Sequence, residues 1–227
     1  MAVRHQKSIL ENKSIRILTE ISVNEVVLIF LKGEIVSPRF MEDYLGALKK
    51  DNRTLSIINS PNLDSESENA YRLDLLGKVR GFGTGKFLFE NFPEDTRWFR
   101  AEITKDELLK AKYINWSYWN ELSGGSRLPI DAARSIKEGK AAFGQSNDKF
   151  LQLADAIKNG KELPELILVS AYKNGELVIL EGHNRLTGLA LVPELIPEKM
   201  QIIIGLSDKM GEWGDFSKYP FRKDLPA

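Results

Sequence analysis

Five consecutive residues, Glu181-Gly182-His183-Asn184-Arg185, put a carboxylate, a bare backbone, an imidazole, an amide and a guanidinium at one point of the chain. Apolar residues flank them, at 177–180 before and 186–192 after. A strand ending at Leu180 and a helix starting near Asn184 or Arg185 would bring all five to one turn. The first N–H groups of a helix have no acceptor within it and lie at the positive end of its dipole. A turn of this kind holds anions. Gly182 leaves room for a ligand oxygen to approach the backbone. Arg185 offers a planar fork of donors suited to phosphate or carboxylate, and Thr187 adds a hydroxyl. Glu181 and His183 are groups that move protons, and Glu181 could hold a magnesium ion. Polar groups clustered between apolar segments need partners, internal or bound. The only other histidine, His5, sits in a polar N-terminal stretch and is given no role.

Two further segments carry charge among small residues. Gly81-Phe82-Gly83-Thr84-Gly85-Lys86 superficially resembles a phosphate loop, but Phe87 stands where a Walker motif needs a hydroxyl. The plain reading is a surface loop, with Arg80 and Lys86 as substrate contacts the alternative. Ser123-Gly124-Gly125-Ser126-Arg127 reads as a connector, with a second anion cradle on Ser126 and Arg127 as the alternative. The aromatic group Trp116, Tyr118 and Trp119 reads as core rather than as a base-stacking platform. Histidines and carboxylates nowhere take zinc-site spacing.

The elements that must position these groups follow from periodicity. Residues 15–21 fit either a strand or a helix start. Apolar residues at 27, 28, 31 and 35 predict a helix, Pro38 interrupts it, and 40–49 predict a second. Residues 54–59 read as a short strand and 61–68 as a polar, serine-rich loop. A helix over 71–79 is expected to bury Leu73, Leu75 and Leu76. Alternation over 98–103 predicts a strand, 105–110 a helical turn and 129–139 a helix opened by Pro129. Residues 147–159 predict a clearer helix, capped by Ser146 or Asn147 and stopped by Gly160. Strands are expected at 166–172, 177–180 and 199–204. Asn174-Gly175 between the first two predicts a two-residue type I′ hairpin turn. Residues 207–227 read as loop.

Composition limits the classes. With 32 basic and 32 acidic side chains the formal net charge is zero, so no global field draws the chain to DNA or to anionic lipid. The absence of cysteine removes disulfides, zinc-thiolate sites and thiol nucleophiles, and suits a cytoplasmic location. The first residues have no apolar signal-peptide core. The most apolar run, 23–36, contains Glu25, Lys32 and Glu34 and is too short and charged to span a bilayer, so no membrane partner is expected.

Residues 147–206 resemble the ParB/sulfiredoxin-like superfamily. The resemblance lies in the helix before Leu163-Pro164-Glu165-Leu166-Ile167-Leu168-Val169, the hairpin, and Leu180-Glu181-Gly182-His183-Asn184-Arg185-Leu186. Sulfiredoxins place a catalytic cysteine where this chain has His183, which removes their reductase chemistry. ParB partition proteins bind DNA and use CTP, with a phosphate motif of Gly-Glu-Arg-Arg character that Gly182-His183-Asn184-Arg185 matches in part. Free serine kinases of this fold use Asp-Gly-His-His-Arg, the version most similar to Glu181–Arg185, with Glu for Asp and Asn184 for the second histidine. The resemblance implies an α/β or α+β fold. A small mixed sheet would lie in a nucleotide-binding domain over 95–227, behind a mostly helical region over 1–94. It implies nucleotide phosphates on Gly182, His183, Asn184, Arg185 and Thr187, with Glu181 and His183 catalytic. The expected activity is that of a magnesium-dependent small-molecule kinase or phosphotransferase using a nucleoside tri- or diphosphate and an acceptor of unknown identity. The alternative is a non-catalytic or DNA-associated regulatory module, against which the neutral charge argues.

Overall fold

The computed structural model describes residues 15–37 and 39–216. The expectations for 1–14, including His5, for Pro38 and for 217–227 lie outside the described residues. The fold is mixed α/β, as expected, with helices packed around one mixed sheet.

The sheet has the order β1-β2-β5-β3-β4. β1 (Ile15–Glu20) resolves the ambiguous first segment as a strand and pairs antiparallel with β2 (Arg97–Thr104), Ile15 opposite Ile103. This joins the N-terminal region to the C-terminal one within a single sheet. The register slips between Ile17 and Thr19, a bulge in the outer strand. β5 (Lys199–Leu206) lies between β2, antiparallel, and β3 (Ile167–Ser170), parallel. β4 (Val178–Glu181) pairs antiparallel with β3, and Ile167 faces Glu181. Every residue of β3 and the first three of β4 are fully buried, so both faces of the sheet are covered there. The free edge of β4 is strapped by Lys112, whose N–H donates to the Leu177 carbonyl and whose carbonyl accepts from Ile179.

The helices α1 (Val23–Glu34), α2 (Met41–Lys50), α3 (Ser56–Asn59) and α4 (Glu66–Arg80) pack against one another as one group. Short helices α5 (Lys105–Lys110) and α6 (Ser117–Leu122) lead to α7 (Pro129–Lys137) and α8 (Asp148–Lys158). Both α7 and α8 pack on α9 (His183–Leu191), the helix that follows β4. α1 starts at a capping box: Ser22 accepts from the Glu25 N–H while Glu25 accepts from the Ser22 N–H. Pro129 opens α7 as expected. α8 is opened by Ser146, whose hydroxyl accepts from the Asp148 N–H at 3.1 Å; Asn147 makes no side-chain cap.

Three local expectations are corrected. Residues 54–59 are not a strand. Ile57 and Ile58 are buried on the single turn of α3 against α1 and α4, where no strand among the described residues pairs with them. In α4 the residue turned inward is Arg72, not Leu73, which is 37% exposed. The buried stripe runs through positions 72, 75 and 76, and Leu73 falls off it by one helical step. The Arg72 guanidinium is held by the Ile57 and Asn62 carbonyls, Glu68 and Asn69. The β3–β4 connection is not a two-residue turn. It occupies residues 171–177, and neither Asn174 nor Gly175 has the positive φ that type I′ demands. The Ser170 hydroxyl, donating to Tyr172 O at 2.8 Å, turns the chain out of the strand earlier.

α1 carries the residues that press on the motif, so its start matters. Ser22→Ala removes the acceptor for the first turn and is expected to cost about 1 kcal/mol of unfolding free energy, measured by urea titration.

Candidate functional site

The turn between β4 and α9 has the form read from the sequence, with the helix starting slightly earlier, at His183. Gly182 occupies the N-cap with φ 105°, a left-handed conformation that favours glycine, and provides no side chain to cap the helix. The N–H groups of His183, Asn184 and Arg185 therefore stand at the open helix end. The space over Gly182 is closed. A Cβ there would lie 2.5 Å from Leu166 Cδ2 and 3.2 Å from the Arg185 guanidinium. The glycine serves the turn and its packing, and the expected approach of a ligand oxygen over its Cα is corrected.

Arg185 points inward, at 8% exposure. One terminal nitrogen donates to the Pro164 and Glu165 carbonyls, both at 2.8 Å, and the other donates to Glu181 Oε1 at 2.5 Å. A single guanidinium thus ties the approach to β3, the end of β4 and the first turn of α9 together. Thr187 is also buried. Its hydroxyl pairs with Tyr113 Oη at 2.7 Å and donates to the His183 carbonyl at 2.8 Å. Asn184 is half-buried.

His183 lies in a stack of rings. Its ring centre is 5.1 Å from that of Trp119 and 6.1 Å from that of Tyr113, both within 20° of parallel. Its Nε2 is buried with no hydrogen-bond partner. Burial, and then the guanidinium groups of Arg80, Arg185, Arg39 and Arg127, push its pKa down to about 3, so the imidazole is neutral.

The other side of the site comes from α1 and α4. Gly33 allows α1 to approach: a Cβ on it would lie 2.7 Å from both Arg185 Nη2 and Glu181 Oε1. The next residue, Glu34, is 3% exposed, with Oε1 3.6 Å from Arg80 Nε. Burial pushes its pKa up to about 8, opposed by Arg80 and reinforced by Glu181, to which it hydrogen-bonds. At neutral pH Glu34 is thus mostly a carboxylic acid, with Glu181 as its neighbour. Tyr44, fully buried, has an unpartnered hydroxyl, and its phenol is pushed upward by burial and then by Glu34.

Arg80, read as a potential substrate contact, is buried beside Glu34, with its Cζ 4.2 Å from the Phe40 ring centre. Ser126 and Arg127 are spent within the protein. The Ser126 hydroxyl donates to Ser123 O and accepts from the Leu128 N–H, while Arg127 donates to the Tyr113, Asp215 and Phe216 carbonyls. Sequence reasoning missed Glu34, Arg39 and Tyr44. Glu34 left a signal, since it continues the inward face of Val27, Phe30 and Leu31 at helical spacing. No group of three or more His, Asp or Glu side chains suited to a metal ion occurs among the described residues. Glu181 is paired with the Arg185 guanidinium and has only the largely protonated Glu34 as a further carboxyl neighbour, surroundings that do not fit a magnesium ion at this carboxylate.

Comparison of the chain with family models, with curated proteins and with solved structures finds no match.

Two outcomes test this geometry. Gly182→Ala meets both backbone strain and Leu166, and is expected to cost about 2–5 kcal/mol in urea unfolding. Glu34 retains a proton in the folded chain between pH 4.5 and about 8 that the unfolded chain has lost, so its contribution to stability falls as pH rises through that window. For His183 the unfolded chain holds the extra proton between about 3 and 6.5, and stability rises with pH there. Thermal melts from pH 4 to 9 should show Glu34→Gln gaining on the wild type as pH rises, with the gain between pH 6.5 and 8 undiluted by the histidine.

Proposed function

We propose that the protein binds a nucleotide through its phosphates at the amino end of α9, as a domain of the ParB/sulfiredoxin type. The observation that carries this reading is an uncapped helix start with a buried, unpartnered histidine nitrogen in its first turn. A positive helix end with no side-chain cap attracts an anion. Neutral His183 presents hydrogen-bonding capacity without adding charge, and half-buried Asn184 lies beside it.

The similarity of Glu181–Arg185 to the free serine kinase motif supports phosphoryl transfer to a small acceptor as the activity. In that reaction positioning and charge neutralisation carry most of the catalysis. Within this chain the helix end and the nearby guanidinium groups would fulfil those roles. Glu181 is the base in that reading, and it would have to leave Arg185 or share it with the ligand. Paired with a guanidinium, Glu181 holds no metal in this reading.

Thermal melts with nucleoside mono-, di- and triphosphates, each with and without Mg²⁺, test the proposal. At a hundredfold excess over Kd, a bound nucleotide should raise Tm by about 5–10 °C. If no nucleotide shifts Tm, the proposal fails. Consumption of nucleotide that is lost in Glu181→Gln while binding persists would place the protein among the phosphotransferases. Binding without consumption would place it among regulatory modules, and a salt-sensitive gel shift with duplex DNA would mark the DNA-associated kind.

A further inference from the structure

Tyr113 lies outside the motif, in the link between α5 and α6, and reaches His183 by two buried routes. Its neighbour Lys112 straps the edge of β4, so the link runs alongside the strand that leads into α9. The first route is a stack of rings. The Tyr113 ring centre is 4.5 Å from that of Trp119, with the planes 20° apart, and Trp119 in turn stacks on His183. The second route runs through hydroxyls, from Tyr113 Oη to Thr187 Oγ1 and on to the His183 carbonyl.

The hydroxyl route has a fixed direction. Thr187 has one hydroxyl proton and donates it to the His183 carbonyl at 2.8 Å. In the 2.7 Å contact between the two hydroxyls, Tyr113 is therefore the donor and Thr187 the acceptor. Both side chains are fully buried. Loss of the tyrosine hydroxyl would leave the Thr187 oxygen without this donor and loosen its hold on the first turn of α9.

Tyr113 is itself held at both of its backbone groups by one residue. Its N–H donates to the Arg127 carbonyl at 2.8 Å, and its carbonyl accepts from Arg127 Nε at 2.7 Å. Arg127 is buried and has φ 62°, a left-handed conformation that strains a residue with a side chain. Strain of this kind persists where the surroundings over-determine it, and it gathers at functional sites. The terminal nitrogens of Arg127 continue to the Phe216 and Asp215 carbonyls, both at 3.1 Å. Tyr113 is thus anchored from behind. The residue it reaches is less secured, because His183 Nε2 is buried with no hydrogen-bond partner and that edge of the imidazole is held by ring contacts alone.

We propose that Tyr113 is the positioning residue of the anion site: it sets the plane of the His183 ring through Trp119 and fixes the first turn of α9 through Thr187, so that the imidazole and the open N–H groups meet the same ligand. A site ordered in advance loses less free energy when it binds. The consequence for binding rests on the nucleotide reading, and the effect on the His183 ring does not.

Tyr113→Phe, which removes the hydroxyl and keeps the ring, tests the proposal in the full chain. Tyr71→Phe, which removes a hydroxyl bonded to Asp51 instead, is the control. The first measurement is the NMR spectrum of the imidazole protons, which is simple because the chain has two histidines and His5→Gln identifies one of them. The wild type should give one sharp set of His183 signals, displaced by the Trp119 ring. Tyr113→Phe should broaden or double that set and move it toward free imidazole, while Tyr71→Phe leaves it unchanged. The second measurement is isothermal titration with inorganic pyrophosphate and the triphosphates of adenosine and cytidine. Tyr113→Phe should weaken every probe that binds the wild type by about three- to tenfold, the worth of roughly one hydrogen bond. Thr187→Val should do the same, and the double variant should bind no more weakly than either single one, since both break one relay. If Tyr113→Phe does not fold, Thr187→Val carries both measurements. An unchanged His183 spectrum overturns the positioning role. A changed spectrum with unchanged affinity overturns its link to binding and leaves Tyr113 a structural residue. If no probe binds the wild type, the nucleotide reading falls, and the spectrum alone decides whether Tyr113 sets the ring.

Discussion

A buried guanidinium must have its donors satisfied, and much of this molecule is arranged around that requirement at Arg185. Its partners are the Pro164 and Glu165 carbonyls and the Glu181 carboxylate. Left unpaired in this position, such a charge would cost several kcal/mol. Two glycines make the arrangement fit. Gly182 turns the chain left-handed under the guanidinium, and Gly33 lets α1 close over the ion pair from the other side. β3, β4, α9 and α1 are thereby held at fixed separations by contacts within a few residues of one another.

That closure sets the electrostatics of the neighbourhood. Because α1 is drawn down onto the pair, Glu34 is carried into a dry position beside Glu181, where one of the two carboxyls keeps a proton. A neutral acid there leaves Arg80 less compensated than a surface ion pair would be. His183, stacked on Trp119, remains uncharged in the same field. Four arginines act on this imidazole, of which only Arg185 belongs to the motif.

The strand–turn–helix unit was legible because its signals are local. Apolar strand, glycine and apolar helix follow one another in sequence, and the only shift is a helix start at His183. The side-chain roles were less legible. Arg185 is an anion fork by type, but backbone carbonyls 20 and 21 residues earlier take its donors, and nothing in the motif reveals them. Arg39 was invisible as a neighbour of the motif, since only the tertiary fold brings it near enough to His183 to act on it. The errors of secondary structure were also tertiary in origin. Ile57 and Ile58 look like a strand until the absence of a partner strand makes them a buried turn, and Asn174-Gly175 signals a tight turn that the early exit at Ser170 renders unnecessary.

The two margins of the sheet are handled differently, and this bears on how the molecule behaves in a crowded solution. β4, which leads into the site, has its outer edge occupied by Lys112, so another chain finds no row of free backbone groups to pair with. β1 forms the opposite margin, where the bulge at Ile17–Thr19 breaks the ladder and the side chains of Arg16 and Glu20 are exposed charges. A five-stranded sheet with an apolar interior is thus prevented from templating its own extension. Association of this protein with copies of itself by edge-to-edge strand addition is disfavoured at both ends, and the side bearing the site is the more completely sealed.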